Sequence, residues 1–583
     1  MTNLSRTAAA LFAALATAPT AATPPCTATT YDLRVNGSPC GSGGNAACYV
    51  DSAAPALSWA LAFAPLPLRP AAQAAFRVVA ARSAAALAAG NFSLWDSGWV
   101  NSSASVGAVS YGGAGLDAVD GSSVFWAVLV VDAGGALCAP APAAFARLVR
   151  APADAAAFAA AGALWIAETN ELPADDCACY KEAPAPLLRR EFALPAGEVA
   201  AAHLFVSGLG FYRAALNGAP VGDLVMDPAW TQVERRVLFS AYDVTALVRA
   251  GAQNALGIEV GRGWWDPYPM RLFGAFNLRD ALTVGPPRAL AYLLVAFADG
   301  SRAAVGSDAS WRVGHGEIRR NNLYIGVQSD LRAAAAVAGW ASPGFDDDAW
   351  PQAVLATASL PLPLGPLQLR RAPGVRVTQE FSPTAIVPLE GEPGGYTVSF
   401  PRNMAGIVRL QNVTGAAPGE ITSLYYAELL DARGQIDPTS VLAGLIGAWN
   451  GSDWGACAPV PAYEFDNVTW AGNGSPESFE PRFTWHAFRH MRVTGWPAGA
   501  PPPTAANFLA RMFHVDNDGA GNSFASWDPQ HADIDALAMQ SFRSNWASHP
   551  RISPTGCPYP STRQSHPHNL LTRRRPRSSC ALT

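Results

Sequence analysis

The densest group of side chains able to do chemistry is the word Gly261-Arg262-Gly263-Trp264-Trp265-Asp266. Two adjacent indoles behind a glycine-rich turn can form a platform, because the apolar face of a pyranose stacks on an aromatic ring. Trp264, Trp265 and Asp266 are therefore candidate substrate-binding residues. The same word also fits one indole turned into a core and the other laid over a loop. Asp223, Asp227 and Asp266 carry the hard oxygens that calcium takes, although their spacing alone defines no site. His486, Arg489, His490 and Arg492 form a second polar group. On a strand, Phe488, His490 and Arg492 point one way while Arg489 and Met491 point the other. That division favours structural hydrogen bonding between domains over catalysis.

The elements that must position these residues are short strands. From Ala202 to Trp265, the alternating runs His203 to Ser207, Phe211 to Leu216 and Ala255 to Val260 are separated by Gly, Asn-Gly and Asp-Pro punctuation. That pattern predicts antiparallel strands of a sandwich. Asn217-Gly218 is the sharpest turn signal, since both central positions of a type I′ turn need positive φ. Earlier, AFRVVA (Ala75 to Ala80) and FWAVLVV (Phe125 to Val131) alternate between Gly and Asp-Gly turns, again a small sandwich. In Trp95-Asp96-Ser97-Gly98 the expected arrangement is a core Trp beside a polar turn. GGYTVSFPRNMAGIVRLQNV and FEPRFTWHAFRHMRVTGW bound a third β domain, followed by a linker, GAPPPT, at Gly499 to Thr504. The one strong helical pattern is Asp528 to Trp546, where Ile534, Leu537, Ala538, Ser541 and Phe542 share a face. Asp528-Pro529 there fits an N-cap followed by proline at N1.

At 583 residues the chain can hold several domains, each with its own core. A net charge of −5 argues against nucleic acid or an anionic membrane as partner. The N-terminus has one Arg, an apolar run from Ala8 to Ala18 and then small residues, the pattern of a secretory signal cleaved near Ala18 to Thr23. No later apolar run reaches the roughly 18 residues needed to span a bilayer. Seven sequons, from Asn36 to Asn473, agree with a secreted or lumenal glycoprotein. The nine cysteines show no paired CxxC spacing, so zinc is not expected; a local disulfide such as Cys40 with Cys48 fits an oxidising compartment, with connectivity left open.

Taken in order, LGFYRAALNG, VGD, DPAWT, RRVLF, YDVT and NALGIEVGRGWW resemble the sugar-binding N-terminal sandwich of large bacterial and fungal multidomain α-L-rhamnosidases. LRVNG, PALSWAL, AAFRVVAARS and LWDSGWV are similar to the fibronectin-III-like first domain of that family, and Ser544-Asn545-Trp546 resembles the end of the first helix of its (α/α)6 barrel. The resemblance implies a mostly β chain: a signal peptide over 1–23, a fibronectin-III-like sandwich over 27–150, and a jelly-roll, carbohydrate-binding-like sandwich over 160–355. A second rhamnosidase sandwich over 360–498 and the first barrel helix over 505–549 follow, then a basic Pro/Arg-rich tail over 550–583. One departure is Tyr324-Ile325-Gly326-Val327-Gln328, where the family carries an acidic Asp-Gly-Glu word.

By the same resemblance the chain acts on rhamnose-containing glycans or glycosides. The sugar-binding module can use a sugar-bridging or structural calcium, and the chemistry itself needs no cofactor. Inverting hydrolysis requires one carboxyl to protonate the leaving group and a second to activate water. The family's first acid lies in a Pro-Thr-Asp-Cys-Pro segment, but here the matching place reads Pro554-Thr555-Gly556-Cys557-Pro558. Glu480 is the last glutamate and Asp535 the last aspartate; 550–583 has six Arg and six Pro and no acid. The expectation is a chain without catalytic residues, its barrel lost to a frame shift, a mis-spliced exon or an early stop; a genuine basic tail binding an acidic partner is the competing view. The alternative function is a non-catalytic extracellular carbohydrate-binding or adhesion protein.

Overall fold

The structure is a computed structural model that describes residues 28–515, less 41–46, 64–72, 106–108, 117–119, 134, 139–144, 176–177, 181–182, 273–275, 357–363, 443–444, 447–459 and 462–463. The expected leader, the helix over 528–546 and the basic tail lie outside the described residues. What is described is built from strands; its helices, such as Ala84–Ala88, Ala155–Ala160 and Leu331–Ala336, are short and capped by Ser83, Asp154 and Asp330. Among the described residues no helix is long and apolar enough to cross a membrane.

The first sandwich sets a four-stranded sheet containing Ala28–Val35 and Ala56–Phe63 against a seven-stranded sheet containing Gln73–Ala81, Ser123–Asp132 and Phe145–Arg150. Trp59, Phe76 and Trp126 fill the space between them. The Trp59 indole donates to Gln73 Oε1 at 2.8 Å, so its one polar atom is satisfied inside. Trp95 packs on this core edge-to-face with Tyr111, while Asp96 pairs with Arg77 at the surface. Cys40 and Cys48 are joined by a disulfide.

The second sandwich pairs a seven-stranded sheet, with Val199–Leu209 next to Arg288–Phe297, and a five-stranded sheet of Phe211–Leu216, Gln253–Gly261 and Pro186–Ala193 with short edge strands. The inward rows of both sheets are nearly uninterrupted apolar side chains. Asn217 and Gly218 sit at φ 56° and 81° and join Phe211–Leu216 to Ala219–Pro220, with Leu216 opposite Ala219. Only residues tolerant of left-handed backbone fit that two-residue loop.

The third domain is one ten-stranded sheet, folded around a core that includes Trp470, Phe488 and Met491. It differs from the sequence reading in the membership of two segments and in the register of a third. The hairpin Ile318–Asn322 with Gly326–Asp330, expected in the second sandwich, joins this sheet by parallel pairing of Gln328 with Asn467. Phe508–Val515, expected to lead into a helix, is a strand paired with Val375–Phe381 and Tyr396–Val413. In His486–Thr494 the buried residues are His486, Phe488, Met491 and Val493, so the alternation slips by one near Arg489. There the partner register jumps from Ser399↔His490 to Met404↔Phe488, a bulge in the long strand. Phe488 and Met491 therefore face the same core, which corrects the strict period-two division of the cluster.

Candidate functional site

Gly261 closes the strand Gln253–Gly261 opposite Phe211, and the chain then turns through Gly263 at φ +54°. A Cβ on Gly261 would lie 2.3 Å from the Phe483 ring, so glycine here lets the third domain approach the second. Trp265, 3% exposed, turns into the core beside Phe205 and Phe239. Its Nε1 donates to the Pro286 carbonyl at 2.8 Å. Neither face of that indole is open to a ligand. Asp266 is equally enclosed: Arg262 Nη1 lies 2.9 Å from one oxygen and Arg279 Nη1 2.7 Å from the other. The Arg262 guanidinium also covers the Tyr268 ring at 4.8 Å. Trp264 is half-buried at the domain seam, with ring centroids 5.5 Å from Tyr324 and 6.5 Å from Trp230. Of the three sequence-derived candidates, only Trp264 keeps accessible surface.

The three aspartates considered for calcium are not brought together as a ligand set. Asp227 is buried and accepts hydrogen bonds from Tyr212, Ser240 and Tyr242, with Arg370 at 3.6 Å. Asp223 pairs with Arg376 at 2.7 Å, and Asp266 is held by its two arginines. Carboxylates already neutralised by guanidinium groups do not fit a hard cation needing 6–8 oxygens. Among the described residues no group of three His, Cys, Asp or Glu is close enough to hold a metal ion.

His486, Arg489, His490 and Arg492 also separate. His490 Nδ1 meets Ser399 Oγ at 2.8 Å, Arg492 pairs with Glu392, and Arg489 is exposed. His486 is fully buried, stacked on Tyr426 at 4.0 Å, with Nε2 3.0 Å from Asp466 Oδ2. Tyr426 donates to the same oxygen at 2.7 Å. Burial opposes the His486 charge, but Asp466 and Glu464 outweigh it and raise its pKa. Glu464, desolvated beside this group, is pushed up to about 7. These contacts lie within one domain and hold Tyr426, Asp466 and His486 in place.

A concave surface that the sequence reading passed over lies between the second and third domains. It is a cleft of about 610 Å³ whose lining includes Arg213, Gln379, Arg482, Phe483, Thr484 and Arg511. Arg213 projects from the outer face of Phe211–Leu216 and stays exposed at the cleft surface. The cleft walls take away part of its hydration and, with the neighbouring Arg482 cation, lower its pKa, while Glu259 and Glu480 act the other way. Arg482 Nη2 contacts Glu259 at 3.1 Å and Glu317 at 2.7 Å. Arg511 contacts Glu480 at 2.7 Å and Glu380 at 3.0 Å. Gln379 Oε1, Arg482 Nε and Thr484 Oγ1 are buried without a hydrogen-bond partner. The only sequence trace of this site is Arg213 at an outward position of an apolar strand, which any solvated face would also show.

Comparison with known proteins places this geometry. Three family profiles match in succession: the Rha78A-like N-terminal immunoglobulin domain over 42–147, the alpha-L-rhamnosidase N-terminal domain over 197–379, and the bacterial alpha-L-rhamnosidase concanavalin-like domain over 390–514. The last two meet the cleft from opposite sides. An alpha-L-rhamnosidase of Streptomyces avermitilis is 34% identical over 338 residues, which is 56% of this chain and 28% of the relative. The solved alpha-L-rhamnosidase of Dictyoglumus thermophilum superposes with a TM-score of 0.65 at 26% identity, over 84% of this chain and 49% of that one. The Streptomyces avermitilis enzyme solved with L-rhamnose gives a TM-score of 0.71 at 23% identity, over 89% and 60%, a likeness of fold. The chain thus spans less than a third of the length of the curated relative and about half of the first solved structure.

Proposed function

From a chain that carries the N-terminal, immunoglobulin-like and concanavalin-like domains of the alpha-L-rhamnosidase family, we propose that it is the glycan-handling portion of a secreted, glycosylated glycoside hydrolase. The reaction assigned to the whole protein is inverting removal of terminal α-L-rhamnose from glycans or glycosides. The observation that carries this reading is the order of the three domains along one chain, which matches the order in the sequence resemblance.

Hydrolysis needs two carboxyl groups across the scissile bond, and Gly556 stands where the resemblance places the first of them. This chain is therefore expected to bind sugar without turning it over. The test is aryl α-L-rhamnoside hydrolysis by the purified chain: no multiple turnover is expected, and sustained turnover would overturn the assignment. L-Rhamnose titration, with and without calcium, tests binding. Trp264→Ala should weaken it, since Trp264 is the indole of the pair with accessible surface.

A purely adhesive protein is the second reading, favoured by the same glycine. Translating the genomic sequence past codon 549 in all frames separates the two. A carboxylate-rich segment ending in Gly-Trp-x-Gly-Asp supports the hydrolase, and its absence over several kilobases supports the binder.

A further inference from the structure

The cleft between the second and third domains is not explained by rhamnose recognition at Trp264, and its charges are not balanced residue by residue. Arg482 and Arg511 each hold two carboxylates. Of the other lining acids, Asp223 is paired with Arg376, and Asp227 accepts hydrogen bonds from Tyr212, Ser240 and Tyr242. No ion pair or side-chain hydrogen bond joins Arg213 to a described residue, although Glu259 and Glu480 act on it electrostatically. Glu259 stands directly across from it on the neighbouring strand, but Glu259 is engaged by Arg482.

We propose that this cleft binds a uronic acid, with the pyranose carboxylate held by the Arg213 guanidinium. A guanidinium presents its N–H donors as a rigid planar fork, the shape that grips a carboxylate through two parallel hydrogen bonds. The acids nearest Arg213 are each held by another guanidinium, Glu259 by Arg482 and Glu480 by Arg511, so the fork of Arg213 is left for a carboxylate from outside. A second, independent observation points the same way. Thr484 is 2% exposed, and its Oγ1 lacks a partner, as do Gln379 Oε1 and Arg482 Nε on the same walls. Leaving a buried polar atom unpaired costs about 1–3 kcal/mol, and a polyhydroxylated ligand supplies both donors and acceptors to such atoms. Phe483 and Phe513 add apolar surface, and about 610 Å³ admits a monosaccharide comfortably. The saccharide half of the assignment rests on the proposed glycan-handling function; the carboxylate half rests on Arg213.

The test is calorimetric titration of the full chain with galacturonate, galactose and inorganic sulfate. Galacturonate should bind at least about tenfold more tightly than galactose, the worth of one charge-assisted hydrogen bond, and more weakly as salt rises. Arg213→Ala should lose about tenfold or more for galacturonate with the melting temperature unchanged, and Arg213→Lys should keep part of the affinity. Equal binding of galacturonate and galactose, or affinity indifferent to Arg213→Ala, would overturn the proposal. Sulfate binding as tightly as galacturonate would overturn its saccharide half. L-Rhamnose run in parallel separates the two readings: rhamnose heat without galacturonate heat sinks this one alone.

Discussion

Trp265-Asp266 and the Arg213 cleft flank the same seam, yet their side chains are in opposite states. The first is conspicuous in sequence, with an aromatic, an acid and a glycine turn, and in the fold the Trp265 indole N–H and both Asp266 oxygens are engaged internally. The second is inconspicuous in sequence, and on its walls Gln379 Oε1, Arg482 Nε and Thr484 Oγ1 remain buried without a hydrogen-bond partner. The contrast teaches that residue type nominates a site, whereas the state of its hydrogen-bonding atoms decides whether anything is left for a ligand.

The sharpest way to break this contrast is to remove Asp266. Arg262 and Arg279 are 6% and 8% exposed, and Asp266→Ala would leave both cations buried without it. Stability should fall by about 3–5 kcal/mol, read by denaturant unfolding, and Trp265→Ala should cost a similar about 3–5 kcal/mol by opening a core cavity. Variants that kept full stability while losing sugar binding would reverse the roles of the two regions.

Next in size is a pH effect at the other seam, between the first and second domains, where Tyr49 Oη meets His203 Nδ1 at 3.0 Å. Burial holds the His203 pKa down at about 4, against an ordinary value of about 6.5. The native state therefore binds fewer protons than the unfolded chain between these values. The stabilisation is complete above pH 6.5 and is lost as pH falls toward 4, by at most about 3 kcal/mol. Melting temperatures across that window should drop for the native chain and flatten in His203→Gln; an unchanged slope would refute the assignment.

Smaller effects separate the cleft from the structural word. Thr484→Val removes an unpaired hydroxyl at nearly constant volume. It should raise stability by about 1 kcal/mol without ligand and weaken galacturonate binding. A loss of stability would show that this hydroxyl already has its partner. Arg213→Ala should leave stability within about 0.5 kcal/mol, and a larger loss would place Arg213 among the structural groups.

The sandwiches and the Asn217-Gly218 hairpin were legible in the sequence because alternation and a turn with positive φ are local signals. The hairpin from Ile318 to Asp330 was not, since its partner, Asn467, lies far along the chain and parallel pairing leaves no local trace. Phe508–Val515 hid behind a proline-rich linker, and its final four residues are all buried, which erases the alternation that marks a strand. The bulge facing His486–Thr494 shifts every side chain beyond it, and nothing in that strand's own residues announces the shift. The cleft needs two domains to exist, so its residues, separated by hundreds of positions, could be grouped only in three dimensions.

A crystal of the full chain soaked in galacturonate tests the contrast most directly. The expected result is the carboxylate within hydrogen-bonding distance of Arg213 and no sugar on Trp265 or Asp266. A ligand seated on the Trp264-Trp265-Asp266 word, with the Arg213 cleft empty, would contradict it.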